Sequence, residues 1–257
     1  MANPLNDTNL LQSIKRSISV PDNQARYSDP DLIALANEEI HITVLPEIMK
    51  LRQSYLVYRT DISLVANQAS YQIPRRAVGR GIYDLQYYPV ASGTEKLNLP
   101  LISHQDSHLY TSPGEPIGYR LEGDKIILMP EPVSAVGKLE VAFLLSPNKV
   151  TPLSESYQIT NINRTTGVIT VASTIDAALA SSQVFDFVSY RESTVPISLS
   201  VDPTSFGGTT FTFSPSDIPT ELVDGDYITL EGNSPFISLP QEVHQVVSAA
   251  VACRVLE

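Results

Sequence analysis

The chain of 257 residues is 42% hydrophobic and 18% charged, with a net charge of −11, which is the balance of a globular protein forming one large domain or two smaller ones. Its single cysteine, Cys253, excludes a disulfide framework and a cysteine-built metal site. The acidic balance argues against a protein that grips nucleic-acid phosphates, because basic patches drive that binding through counterion release.

The opening MANPLNDTNLLQ has no basic stretch ahead of an apolar core, and the longest apolar run, near Val246 to Ala252, is far short of a span. Neither secretion nor membrane anchoring is therefore expected. Acids outnumber bases 12 to 4 over residues 149–257, against 7 to 6 over 1–60 and 9 to 7 over 61–148, so the excess sits in the last third.

In chain order, Leu10, Leu11, Ile14 and Ile18 predict a short helix over 7–18, ended by the turn Val20-Pro21-Asp22-Asn23. Ser28 followed by Asp31 spells a capping box, with acids where the helix dipole favours them. The stripe Leu32, Leu35, Ala36, Ile40, Val44, Ile48 and Leu51 predicts a half-buried helix over 29–53. Pro46 cannot donate to the carbonyl of Ile42, which predicts a kink or break between Ile42 and Leu45.

From about Tyr55 to Leu230 the pattern is β. Strands are expected at Tyr71–Ile73, Gly81–Pro89 and Lys138–Leu145, with a hairpin over 119–128 turning at Glu122 to Asp124. After the break at Ser146-Pro147-Asn148, six short strands near 157–159, 168–171, 184–190, 197–201, 209–213 and 227–230 suggest a small barrel or sandwich. Pro240, Glu242 and the stripe Val243, Val247, Ala250 and Val251 predict a closing helix that is still running at Glu257. The expected fold is α+β: a helical bundle from 1–54 and 236–257, a first β region over 55–148 and a second over 149–235.

Catalytic patterns are thin. The sequence has no glycine-rich phosphate loop, no Gly-x-Ser-x-Gly elbow and no His-Glu-x-x-His. His104 and His108 around Asp106 come nearest to a metal constellation, but a spacing of four needs a helix, and this stretch reads as loop or strand. Asp224 with Asp226, and Glu38 with Glu39, read as turn and surface residues, while His41 and His244 suit an interface or a satisfied core position. No catalytic, cofactor or metal residue is assigned.

Two features stand apart. Arg75, Arg76 and Arg80 form the one dense basic spot; they suit carboxylates on a neighbouring subunit or simply an exposed loop. Tyr83 and Tyr87, expected on one strand face with Tyr88 on the other, suit either a subunit contact or core packing.

The order of short helix, YSDPDLIALANEEIHITVLPEIMKLRQSYLVY, YQIPRRAVG, long β insertion and GDYITLEGNSPFISLPQEVHQVVSAAVACRVLE resembles the head-to-tail adaptor, connector or neck proteins of tailed bacteriophages. The resemblance covers the whole order of elements and rests on no single motif. It implies a virion structural protein without catalysis, in a homo-oligomeric ring, usually of twelve copies, at the head-tail junction. Such a ring sits beneath the portal protein, binds tail or neck proteins, and surrounds the channel through which DNA passes without specific binding. Family members generally continue past the last helix into a segment that docks on the portal. A β-rich module binding carbohydrate or protein would account for the insertion alone.

Overall fold

The computed structural model describes residues 7–18, 27–110, 112–176, 183–191 and 195–256. It is a mixed α+β chain with helices toward both ends and, between them, antiparallel sheets and a short parallel pair of strands, Lys149–Val150 with Asn233–Ser234. The chain divides into two compact units, Met1–Tyr55 with Pro147–Glu257, and Leu56–Ser146. A helical domain separate from a β region over 149–235 was expected; here a single unit holds both.

Asn37 shows how that unit is joined. Its side-chain amide donates to the carbonyl of Val150 at 2.9 Å and accepts from the Val150 N–H at 2.8 Å, so a helix side chain pairs with a strand as another strand would.

Helix α1 (Asp7–Ile18) buries Leu10, Leu11 and Ile14. The turn expected at Val20 to Asn23 lies outside the described residues. Helix α2 (Asp29–Glu39) starts at the capping box, with Ser28 N–H donating to Asp31 Oδ2 at 3.1 Å and Asp31 N–H donating to Ser28 Oγ at 3.4 Å. The Ser28 hydroxyl and N–H together hold the Asp31 carboxyl below its ordinary pKa.

The interruption at Pro46 is a π-helical turn over Ile40–Val44 ahead of α3 (Leu45–Leu51), with the Leu45 N–H reaching back five residues to Ile40. Leu51, expected on the buried stripe, is 84% exposed at the last position of α3.

Helix α4 (His244–Leu256) follows a 3-10 turn at Gln241–Val243 and packs against α1 and α2. Contact with two helices buries His244, Val247, Ser248, Val251 and Ala252; of the expected stripe Val247 and Val251 are buried, whereas Val243, in the 3-10 turn, and Ala250 are only half-buried. Arg254 ties it to α2 through Glu38 at 2.6 Å and Glu39 at 2.9 Å. Glu257 lies outside the described residues.

In the Leu56–Ser146 unit, β1 (Val57–Ser63), β2 (Ser70–Gln72), β3 (Ala77–Tyr88), β4 (Leu97–Asn98), β5 (Gly118–Glu122), β6 (Lys125–Met129) and β7 (Lys138–Leu145) form sheets ordered β1-β7-β3-β4 and β2-β6-β5. The β5–β6 hairpin turns through Gly123 at φ +60°. Alternation along β7 buries Leu139, Val141, Phe143 and Leu145 and leaves Lys138, Glu140 and Leu144 partly open, with Ala142 on that second face buried as well.

The other unit continues with β8 (Lys149–Val150), β9 (Tyr157–Asn163), β10 (Val168–Val171), β11 (Phe185–Val188), β12 (Ser198–Val201), β13 (Ser205–Gly207), β14 (Thr210–Thr212), β15 (Tyr227–Leu230) and β16 (Asn233–Ser234). Seven of these form one antiparallel sheet in the order β12-β11-β15-β9-β10-β14-β13. Its two edge strands are joined only through residues 202–204, so the sheet curls to bring its edges toward each other. The concave side encloses Phe185, Phe187, Phe211 and Phe213, whose neighbouring rings lie 5.1 to 5.8 Å apart.

Candidate subunit interface

Strand β3 carries the arginine-rich stretch, and its register explains the shape of that stretch. Ala77 pairs with Leu145 but Ile82 pairs with Phe143, so residues 78–81 stand opposite Leu144 alone and must bulge out of the sheet. The bulge is made possible by Gly79 at φ +61° followed by Arg80 at φ +55°, a left-handed conformation that a non-glycine residue adopts at a cost of about 1–2 kcal/mol. Just before it, Pro74 to Ala77 form a turn closed by the Ala77 N–H on the Pro74 carbonyl at 3.0 Å.

The sequence-predicted residues separate here. Arg75 and Arg80 are exposed and make no ion pair among the described residues. Arg76 is half-buried and strapped inward: its guanidinium donates to the Ser146 carbonyl at 3.5 Å, and its own carbonyl accepts the Ser146 N–H at 2.9 Å.

Tyr83 is 52% exposed, whereas Tyr87 is 5% exposed, which takes Tyr87 out of the expected surface pair. The reason is a second register shift, between Ile82 and Asp84, which makes Tyr83 an extra residue and gives Ile82 the place opposite Phe143. Burial raises the Tyr87 pKa, with the Glu115 carboxylate adding to the effect.

Three other cations of this unit are paired, Arg59 with Glu140 and Asp84, Lys138 with Asp61 at 2.7 Å, and Arg120 with Glu122 at 2.6 Å, while Lys96 and Lys125 are exposed and make no ion pair among the described residues. The hydrogen bond from Lys138 to Asp61 raises the lysine pKa. Residues 56–146 hold nine acids and eight bases, a net charge of −1, which leaves −10 of the −11 on the rest of the chain.

On the acidic unit an open groove of about 510 Å³ runs beside β12, lined by Ser198, Leu199, Ser200, Asp202, Ser216 and Asp217. Its floor is set by a bulge: Phe185 pairs with Val201 and Phe187 with Ser198, so β12 carries one extra residue and Ser200 sits at φ +53°. The buried carboxylate of Asp186 holds that residue in place. Its Oδ1 accepts the Ser200 N–H and its Oδ2 the Gly232 N–H, both at 3.0 Å, while the Ser200 hydroxyl donates to Glu231 at 2.6 Å.

Asp226, also buried, accepts from Val223 N–H at 2.9 Å, Tyr190 N–H at 3.2 Å and the Ser189 hydroxyl at 3.3 Å. These hydrogen bonds give both buried carboxylates structural work. Asp202 and Asp217 are exposed, and Asp217 accepts from the adjacent Ser216 at 3.1 Å. The sequence reading missed this groove because its two carboxylates are separated by a strand pair; the turn residues Asp202-Pro203 and Pro215-Ser216-Asp217 were the only local sign of it.

The histidines do not converge. His108 has its Nδ1 2.7 Å from the Gln105 carbonyl, His104 lies 3.4 Å from Arg120, and His244 Nε2 is 2.8 Å from the Leu239 carbonyl. Burial lowers the pKa of His244, and burial with the nearby Lys149 charge lowers that of His41 in the π-turn. No group of three or more His, Cys, Asp or Glu that could hold a metal ion occurs among the described residues. Among the same residues no helix is long and apolar enough to cross a membrane. No protein-family model matches the chain, and no curated protein matches its sequence.

Proposed function

We propose that this chain is a structural subunit of a tailed-bacteriophage head-to-tail adaptor: a non-enzymatic protein that forms a homo-oligomeric ring beneath the portal, joins it to tail or neck proteins and surrounds the DNA exit channel. The carrying observation is that α1 and α2 from the start of the chain pack against α4 from its end. Both β regions are then insertions in one helical frame, the order of elements through which the sequence resembles the adaptors. We read the helices as a bundle and the curled seven-stranded sheet as an incomplete barrel.

The charge distribution supports the role. A wall of like charge repels duplex DNA over about 8 Å at physiological salt, so it keeps DNA from settling while leaving the passage open. The unit carrying −10 is the one suited to line such a channel.

Two measurements test the reading: particle mass, with electron micrographs of the purified chain alone and with a portal protein, and duplex DNA binding at about 150 mM salt. Rings and no measurable DNA affinity are expected. A particle that stays monomeric under both conditions, or tight salt-sensitive DNA binding, overturns it. The groove beside β12 favours one second reading, a β-rich binding module for carbohydrate or protein, which predicts a monomer.

A further inference from the structure

We propose that the groove beside β12 is the receptor for the arginine-bearing turn and bulge over residues 74–81 of a second copy of this chain, so that Arg75 and Arg80 of one subunit enter between Asp202 and Asp217 of the next. The inference rests on the ring reading and names the two surfaces that would meet.

Charge complementarity selects the occupant. Arg75 and Arg80 are exposed cations without an ion pair among the described residues, on a unit whose Arg59, Arg120 and Lys138 are each matched by an acid; Lys96 and Lys125 are exposed without an ion pair as well, but each stands alone, whereas Arg75 and Arg80 bring two guanidinium forks into one short stretch. The groove presents two exposed carboxylates, three serine hydroxyls and no base among its lining residues. A guanidinium fork has five donors and matches acceptors of this kind.

Shape agrees with charge. The bulge projects because four residues of β3 oppose one of β7, and its left-handed Gly79-Arg80 pair fixes the direction in which it leaves the sheet. The groove is preformed, since Asp186 and Glu231 fasten Ser200 from both sides, and preorganisation of both surfaces lowers the ordering cost of association. The two surfaces differ, so each subunit offers one and accepts the other; a contact of that type closes into a ring when the rotation permits.

The test is reciprocal charge reversal, read by sedimentation velocity of the full chain at low salt. One variant carries Arg75→Glu and Arg80→Glu, the other Asp202→Arg and Asp217→Arg; all four positions are exposed, and circular dichroism checks that each variant keeps its fold. Each variant alone should self-associate about tenfold or more weakly than the native chain. Their equimolar mixture should recover assembly, because every bulge then meets a groove of opposite sign, and the chain carrying all four changes should assemble by itself. If the native chain assembles and the mixture does not, the groove is not the receptor while the ring reading stands. If the native chain fails to assemble at any concentration, alone or with a portal protein, both fail.

Discussion

Removing the Asp186 carboxylate tests whether one buried charge holds the groove in shape. Asp186→Ala deletes the acceptor for the Ser200 and Gly232 N–H groups, both at 3.0 Å, and for the longer contact from Asn148 at 3.4 Å. Hydrogen bonds to a charged group are worth about 1.5–3 kcal/mol each, so the two short ones set a gross loss of about 3–6 kcal/mol. Eliminating a fully buried carboxylate returns part of its desolvation cost, which brings the expected net loss to about 2–4 kcal/mol.

Asp186→Asn keeps one acceptor but turns an amide N–H toward a backbone N–H, so it should cost about half the gross loss, roughly 2 kcal/mol. The assay is urea unfolding followed by tyrosine fluorescence and far-ultraviolet circular dichroism, with amide exchange of Ser200 and Gly232 as the local readout. Both amides should exchange faster in Asp186→Ala than in the native chain. A stability loss below about 1 kcal/mol with unchanged exchange at Ser200 would refute the reasoning.

Phe211 is fully buried among Tyr157, Phe185 and Phe213, so Phe211→Ala should cost about 3–5 kcal/mol and Phe211→Leu clearly less; equal losses would mean that refilling the apolar volume recovers nothing and would refute the cavity argument. Gly167 sits at φ +75°, and a Cβ there would lie 2.0 Å from the Phe213 carbonyl oxygen, so Gly167→Ala should lose about 2–4 kcal/mol in the same urea assay. His41 and His244 have folded-state pKa values below the ordinary value, so the unfolded chain takes up their protons first. Stability is therefore fully present above about pH 6.5 and falls as pH drops through that value, by at most about 1.4 kcal/mol per pH unit for each histidine. Urea midpoints at pH 7.5 and 5.5 should show the fall, and His244→Gln should flatten it.

Local chemistry determined more of this protein than its pairings did. Ser28 and Asp31 start α2 because a capping box acts within four residues, and Pro46 interrupts the helix because its missing N–H affects only the neighbouring turns. Strands β7, β10 and β15 stand at their expected residues because alternation and turn residues are local signals. The sequence also shows the arginine cluster and the acidic last third directly.

Tertiary structure alone decided which of those arginines is free. Arg76 differs from Arg75 and Arg80 through a hydrogen bond to Ser146, seventy residues away. Tyr87 is buried and Tyr83 exposed because a register shift against β7 breaks the two-residue period, and that shift depends on the partner strand. The joining of helices to the second β region through Asn37 and Val150, and the meeting of Asp202 with Asp217 across the groove, are likewise non-local. Residue spacing along the chain is fixed by covalent geometry, whereas contacts between distant segments are selected only when the whole apolar surface is buried at once, so no window of sequence contains them.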